Sequence, residues 1–248
     1  MLMLIGLGLE GNGISAKGLS YVKEADIVYA EFYTSLPRLS LEEIESLVGK
    51  KIHVLARSQV EEEELPLQDA KDRSVAFLVM GDPLVATTHI SLAARARELG
   101  IQLKVSHAES IYSAIGATGL MLYKFGKSAS IVYPEGSFFP KSFYEAVLDN
   151  KKRGLHTLLF LDLKADKDIY MDPVDGMTLL HSVDEKEMVP SVIVASRVGW
   201  DSENIVYGEI EKLILLGKDY FGPPPHCIVV PGDLHFAEEE YLSHFMVR

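Results

Sequence analysis

The chain has a single cysteine, Cys227, so no disulfide can form within it, and the surrounding run CIVVPG gives that thiol the part of a small buried hydrophobe. A reducing compartment is the expectation. Basic residues are scarce as well: 24 Lys and Arg stand against 36 Asp and Glu among 248 residues, a formal net charge of -12. That balance argues against general attraction to nucleic-acid phosphates or to an anionic membrane face. It suits a cationic ligand or a basic patch on a partner, and ordinary solubility explains it more simply. The opening MLMLIGLG lacks the positive flank of a signal peptide, and the uncharged stretch Ser110–Tyr123 is too polar, and short of the ~20 residues a spanning helix needs. The expectation is a soluble cytoplasmic protein. The histidines are scattered without the paired spacing of a metal site, and neither a GxSxG elbow nor a P-loop GKS/T occurs. Phosphoryl transfer and serine hydrolysis therefore fall well down the list.

What is present is alternation. With 48% hydrophobic residues the chain can bury a substantial core, and short apolar runs alternate with helical segments, the pattern of α/β architecture with largely parallel sheets. The first half, 1–112, reads as strand Met1–Gly8, helix Ser15–Ala25, strand Asp26–Glu31, a helix in SLEEIESLVG, strand Lys51–Leu55, strand Val75–Met80, a helix to Leu99 and strand Ile101–Ser106. Ser40 and Glu43 have capping-box spacing, Gly49 closes that helix, and Thr87 or Thr88 is placed to cap the later one. The acidic run Glu61–Glu64 reads as a solvated loop or helix start. SIYSAIGATGLMLY, rich in small residues, predicts a buried helix at the boundary. The second half, 113–248, reads as strands Ala129–Tyr133, His156–Leu161, Val192–Ser196, Asn204–Gly208 and Cys227–Val230. Its helices are Ser142–Lys152, one starting at Asp172-Pro173, and others near Glu211 and Glu238.

Ligands of open α/β sheets bind beyond the carboxyl ends of strands, and four such ends carry unusual chemistry. Gly6-Leu7-Gly8-Leu9-Glu10-Gly11 formally matches GxGxxG, with Glu31 placed as a ribose-binding acid, yet Asn12 and Gly13 make the loop longer than the dinucleotide fingerprint. Glycines needed only for a tight turn are the plainer alternative. Gly81-Asp82-Pro83 puts a carboxylate where it either faces a ligand or caps amides, with Thr87, Thr88, His89 and His107 placed to converge near it. Tyr133-Pro134-Glu135-Gly136 and Pro223-Pro224-Pro225-His226 offer Glu135 and His226 as acid–base groups or as packed loop residues.

Together these stretches resemble the diphthine synthase family, a branch of the tetrapyrrole-methylase-like methyltransferases that use S-adenosylmethionine. The resemblance spans nearly the whole chain: GLGL at Gly6–Leu9, AEFYTS at Ala30–Ser35, GDPLVATTH at Gly81–His89, SIYSAIG at Ser110–Gly116, YKFGKSASIVYPEG at Tyr123–Gly136, GLHTLLFLDLKA at Gly154–Ala165 and PPPH at Pro223–His226. It implies two α/β domains of mixed, largely parallel sheets, with the cofactor in the cleft between them and a homodimeric assembly. The implied reaction methylates the amine of a modified histidine on translation elongation factor 2, leaving S-adenosylhomocysteine and using no metal. The implied cofactor contacts are Leu9, Asp82, Val85, Ser110, Ile111, Leu161, Val198 and His226. Glu109 departs from the pattern, standing where this branch often has proline or a small residue, and VGWDSEN after Arg197 aligns loosely. Glu135, His107, Tyr133 and Arg197 are candidate bases for the acceptor amine, and none is singled out. Two other readings remain: a methylase of the same fold acting on a tetrapyrrole or another small molecule, and a nicotinamide-dependent oxidoreductase using GLGLEG.

Overall fold

Strand β1 (Leu2–Gly6) sends Leu2 and Leu4 into one apolar cluster and Met3 and Ile5 into another, so a strand buried on both faces reads as an unbroken hydrophobic run. Strands β2 (Ile27–Glu31), β3 (His53–Val54), β4 (Val75–Val79) and β5 (Leu103–Ser106) complete a sheet of order β3-β2-β4-β1-β5 in which every pairing is parallel. β4 alternates likewise: Val75, Phe77 and Val79 join Leu2 and Leu4, while Ala76 and Leu78 join Met3 and Ile5. Burial of Phe77 alone stabilises this unit by about 1.5–3 kcal/mol. Because all strands run one way, the loops after Gly6, Glu31, Val79 and Ser106 emerge at one edge.

The computed structural model describes residues 1–136, 138–164 and 169–247, and these fall into two units, Met1–Ile111 and Tyr112–Lys164 with residues 169–247. Ala165, the end of the GLHTLLFLDLKA motif, lies outside the described residues.

In the second unit the strands are β6 (Ala129–Ile131), β7 (Thr157–Leu161), β8 (Leu163–Lys164), β9 (Ile169–Tyr170), β10 (Ser191–Ser196), β11 (Asn204–Glu209) and β12 (His226–Val230). Its main sheet has the order β11-β10-β12-β7-β6, and only β6–β7 is parallel. The mixed character of the fold is thus concentrated here, and the largely parallel character in the first unit. Ile131, Leu159, Val192, Val194 and Ile228 of this sheet pack with Phe143, Met177, Leu180 and Phe221 from the helices and loops.

Local signals place the helices. Ser15 accepts from Gly18 N at 3.0 Å and opens helix Ala16–Glu24, and Ser40 with Glu43 forms the full capping box of Leu41–Val48, which Gly49 ends at φ 72°. Asp172 caps Pro173–Val183 through Val174 N at 2.7 Å. Of the two threonines offered as caps of His89–Glu98, Thr87 accepts from His89 N through Oγ1 at 3.2 Å, while Thr88 occupies the cap position without bonding the helix and donates to Glu61 at 2.8 Å. One expectation needs correction. Ser110–Tyr123 is not one buried helix but a single α-helical turn at Ile111–Ala114, 3-10 turns at Ile115–Thr118 and Leu122–Lys124, and an exposed Tyr123. Gly119, at φ 82°, stops the helical run, and the Tyr241 ring lies so close that a Cβ there would sit 2.2 Å from it.

Candidate functional site

The loops leaving β1 and β4 are stitched to each other. Gly81 N donates to Gly8 O at 2.8 Å and Gly8 N to Gly81 O at 3.3 Å, both glycines holding positive φ (71° and 67°) that a side chain would resist. Asp82 then ties in the loop after β5. Its Oδ1 accepts from Leu84 N at 3.0 Å, and its Oδ2 lies 2.7 Å from His107 Nδ1 and 3.3 Å from Ala108 N. A carboxylate only accepts, so Nδ1 of His107 carries the proton. Asp82 is 5% exposed, whereas the His107 side chain is 68% exposed: a buried acid orients an open imidazole. Ala86 sits at φ 55°, an uncommon position for a residue with a Cβ, directly between Val85 and the threonines.

Glu109 completes this set. Leu9 N donates to its Oε1 at 3.4 Å, and a Cβ on Gly8 or Gly13 would lie 2.4 or 2.3 Å from the same oxygen. The long glycine loop thus closes around a carboxylate. Gly13 N is taken by Leu7 O at 2.8 Å, and the following helix is capped by Ser15, whose hydroxyl is 2.8 Å from Ser106 Oγ. Glu31, the expected ribose acid, is wholly buried and accepts from Tyr33 N and Thr34 N at 3.0 Å each and from the Thr34 hydroxyl. Neither half of the dinucleotide fingerprint has its required geometry, which removes the basis of the oxidoreductase reading.

Glu31 sits with His89 and Tyr33. His89 Nε2 is 3.7 Å from Glu31 Oε1, its ring meets Phe77 and Tyr33 edge-on, and Arg57 lies 4.6 Å over the Tyr33 ring. Burial holds Glu31 up at about 6 and His89 down at about 4. The neutral imidazole gives the carboxylate no countercharge.

In the second unit His226 begins β12, its Nδ1 2.9 Å from Ser196 Oγ on β10, and burial together with the Arg197 charge pushes it down to about 4. Arg197, at φ 50°, is the clamp of the proline loop: its guanidinium donates to Ser202 O at 3.0 Å, Phe221 O at 2.9 Å and Pro223 O at 2.5 Å, and its amide donates to Pro225 O at 2.8 Å. Val198 follows it, 6% exposed. Leu161 ends β7, which pairs with β12 up to Cys227 opposite Phe160, so Leu161 and His226 finish neighbouring strands at one end of the sheet. Tyr133 and Glu135 are engaged: Tyr133 donates to Asp175 at 2.7 Å, and Lys164 donates to Glu135 at 2.7 Å.

The structure therefore gathers Leu9, Asp82, Val85, Ser110 and Ile111 at one edge of the first sheet, and Leu161, Val198 and His226 at one end of the second. A Cβ on Gly81 would find only Glu109 O, at 3.9 Å, which leaves open space over the backbone beside Asp82 and Glu109. Among the described residues no cluster of His, Cys, Asp or Glu is placed to hold a metal. Of the two parts left open for Asp82, the structure shows the capping of amides; sequence reasoning missed the Ser15–Ser106 contact and a buried knot in the second unit. In that knot Glu238 accepts from Met121 N and His235 N at 2.8 Å each, from the Lys124 ammonium and from His156 at 3.1 Å. The capping-box spacing of His235 and Glu238 was its only local signal.

The sequence profile of the family Tetrapyrrole (Corrin/Porphyrin) Methylases matches residues 1–214. A diphthine synthase of Methanocaldococcus jannaschii is 44% identical over 255 residues, covering 98% of this chain and 98% of that protein. One from Methanococcus maripaludis is 46% identical over 253 residues with the same coverage of both. Among solved structures, a crystal structure of diphthine synthase superposes with a TM-score of 0.89 at 36% identity, over 99% of this chain and 95% of that one.

Proposed function

Because the chain belongs to the tetrapyrrole (corrin/porphyrin) methylase family, within its diphthine synthase branch, we propose that it methylates the amino group of the modified histidine, the diphthamide precursor, on translation elongation factor 2, with S-adenosylmethionine as methyl donor. S-adenosylhomocysteine is the product. The observation that carries this reading is the relationship to diphthine synthases through the whole length of the chain. The loops at Gly8, Gly81 and Glu109 agree with it, since they present carboxylates where a dinucleotide site would present unpaired amides.

The cofactor brings a methyl group already activated on a positively charged sulfur, so the protein's task is binding, alignment and exclusion of water. In this reading Leu9, Asp82, Val85, Ser110 and Ile111 of the first unit and Leu161, Val198 and His226 of the second contact it. The Asp82 carboxylate, engaged by Leu84 N, His107 and Ala108 N, acts by fixing the loop whose backbone recognises the ligand. Half-buried Leu9, Val85, Ile111 and Leu161 keep water out. His226, held neutral by burial, adds a polar contact without a competing positive charge. Among the four groups considered for the amine's proton, Tyr133, Glu135 and Arg197 are committed to Asp175, Lys164 and the proline loop. His107 alone joins an exposed ring to an orienting carboxylate. A cytoplasmic homodimer belongs to the same reading. No helix among the described residues is long and apolar enough to cross a membrane.

The test is incubation of the purified protein with methyl-labelled S-adenosylmethionine and elongation factor 2 carrying the unmethylated precursor. Label on that histidine is the expected result; an unlabelled factor overturns the reading.

A further inference from the structure

The glycines of the first loop are required by a side chain of this protein. Gly8 N and Gly13 N are spent on Gly81 O and Leu7 O, and Leu9 N donates to Glu109 Oε1 at 3.4 Å. In a phosphate-binding loop such amides face the anion, and the missing Cβ atoms let it approach the backbone. Here the space against the same glycines holds a carboxylate: a Cβ on Gly8 would lie 2.4 Å from Glu109 Oε1, and a Cβ on Gly13 would lie 2.3 Å from it. The helix start beyond the loop is closed too, since Ser15 Oγ accepts from Gly18 N at 3.0 Å and lies 2.8 Å from Ser106 Oγ. Asp82, on the adjoining loop, adds a second acid and no basic side chain bonds to Glu109 among the described residues.

We propose that Glu109 is a specificity-determining residue: its carboxylate, seated on Gly8, Leu9 and Gly13, makes the glycine loop an anion-excluding rim that admits a nucleoside of neutral or positive charge and rejects phosphorylated nucleosides. This rests on the reading that the loop faces the cofactor's nucleoside, and it adds what that reading leaves open, namely how a GxGxxG-like loop turns away the far commoner adenine nucleotides. The charge is open to solvent, so its field is partly screened. The expected discrimination is about tenfold, or about 1.4 kcal/mol.

Calorimetric titration of the wild type and E109Q with adenosine, ADP and inorganic pyrophosphate tests it. Glutamine keeps the shape and still accepts from Leu9 N, so only the charge is lost, and a thermal melt verifies that the variant is folded. E109Q should gain about tenfold in ADP affinity and acquire pyrophosphate binding, with adenosine affinity unchanged. No gain for either anion overturns the proposal. The wild type gives a second measurement that needs no variant: its ADP affinity should rise between about 50 and 500 mM salt, as repulsion is screened, and a fall with salt also overturns the proposal. S-adenosylhomocysteine is titrated in parallel. Failure of the wild type to bind it sinks the methyltransferase reading while the anion gain of E109Q still decides the role of Glu109; binding of it without any anion gain does the reverse.

Discussion

Glu31 in the first unit and Glu238 in the second are both wholly buried carboxylates, and they are driven in opposite directions. Burial raises Glu31 to about 6, against the opposing bonds from Thr34 and Tyr33, because the nearest imidazole, His89, is itself held neutral. Burial pushes Glu238 upward as well, but the His235 amide, the Lys124 ammonium, the Met121 amide and His156 together bring it down to about 2. His156 accepts from Gly232 N through Nδ1 at 2.9 Å, so its Nε2 proton is left to point at Glu238. The difference shows that depth alone does not set the state of a buried acid; the number and charge of its donors do. It also separates two kinds of architecture. The second unit ends in a closed, fully paired knot, while the first keeps a buried carboxylate beside a neutral imidazole, with the Tyr33 hydroxyl and both His89 nitrogens lacking good hydrogen bonds among the described residues, next to the loops proposed to bind the cofactor.

Removing the acid from the knot should have the largest effect. Glu238→Ala strands the Lys124 ammonium and the His156 ring in a buried site, and a loss of about 3–5 kcal/mol in urea denaturation at pH 7 is expected. The wild type should also lose the contribution of Glu238 as pH falls from the unfolded value of 4.5 toward 2, an acid sensitivity that Glu238→Gln should lack. Glu31 has the opposite sign. Its pKa is raised in the folded state, so stability is greatest below 4.5 and declines as pH climbs through about 6. Relative to Glu31→Gln, the wild type should lose about 2 kcal/mol between pH 4 and pH 7. A wild type that instead gains on Glu31→Gln over that range would show that Glu31, like Glu238, is stabilised in its charged form. Asp82→Ala cuts the ties to Leu84 N, His107 and Ala108 N, and S-adenosylhomocysteine affinity by calorimetry should fall about tenfold, about 1.4 kcal/mol. The helix caps should cost least and equally in the two units: Ser15→Ala and Asp172→Ala are each expected to lower stability by about 1 kcal/mol. A larger loss at Ser15 would sharpen the contrast, since its hydroxyl also meets Ser106.

Elements set by local rules were legible in the sequence. The alternation in β1 and β4, the Ser40–Glu43 capping box with Gly49, and the Asp172-Pro173 start all act within a few residues, and each appears where its pattern stands. The stretch Ser110–Tyr123 misled because small uncharged residues suit a buried helix and equally suit tight turns; Gly119 under the Tyr241 ring decides between them, and Tyr241 is far along the chain. The same distance hid the wiring of the site. Asp82 reaches His107, Leu9 reaches Glu109 and Lys124 reaches Glu238 across 25, 100 and 114 positions, and no periodicity encodes such meetings. Glu109 was visible only as a residue out of pattern. Its reason becomes physical once Gly8 and Gly13 are seen to make room for it.

A methyl-donor nucleoside is proposed to sit at the carboxyl edge of the first sheet, where Gly8 and Gly81 pin two loops together. The most direct test is a crystal structure of the protein with S-adenosylhomocysteine bound. Density for the ligand is expected against Leu9, Asp82, Val85, Ser110 and Ile111; density seated on other loops, with these residues uncovered, would overturn the proposed site.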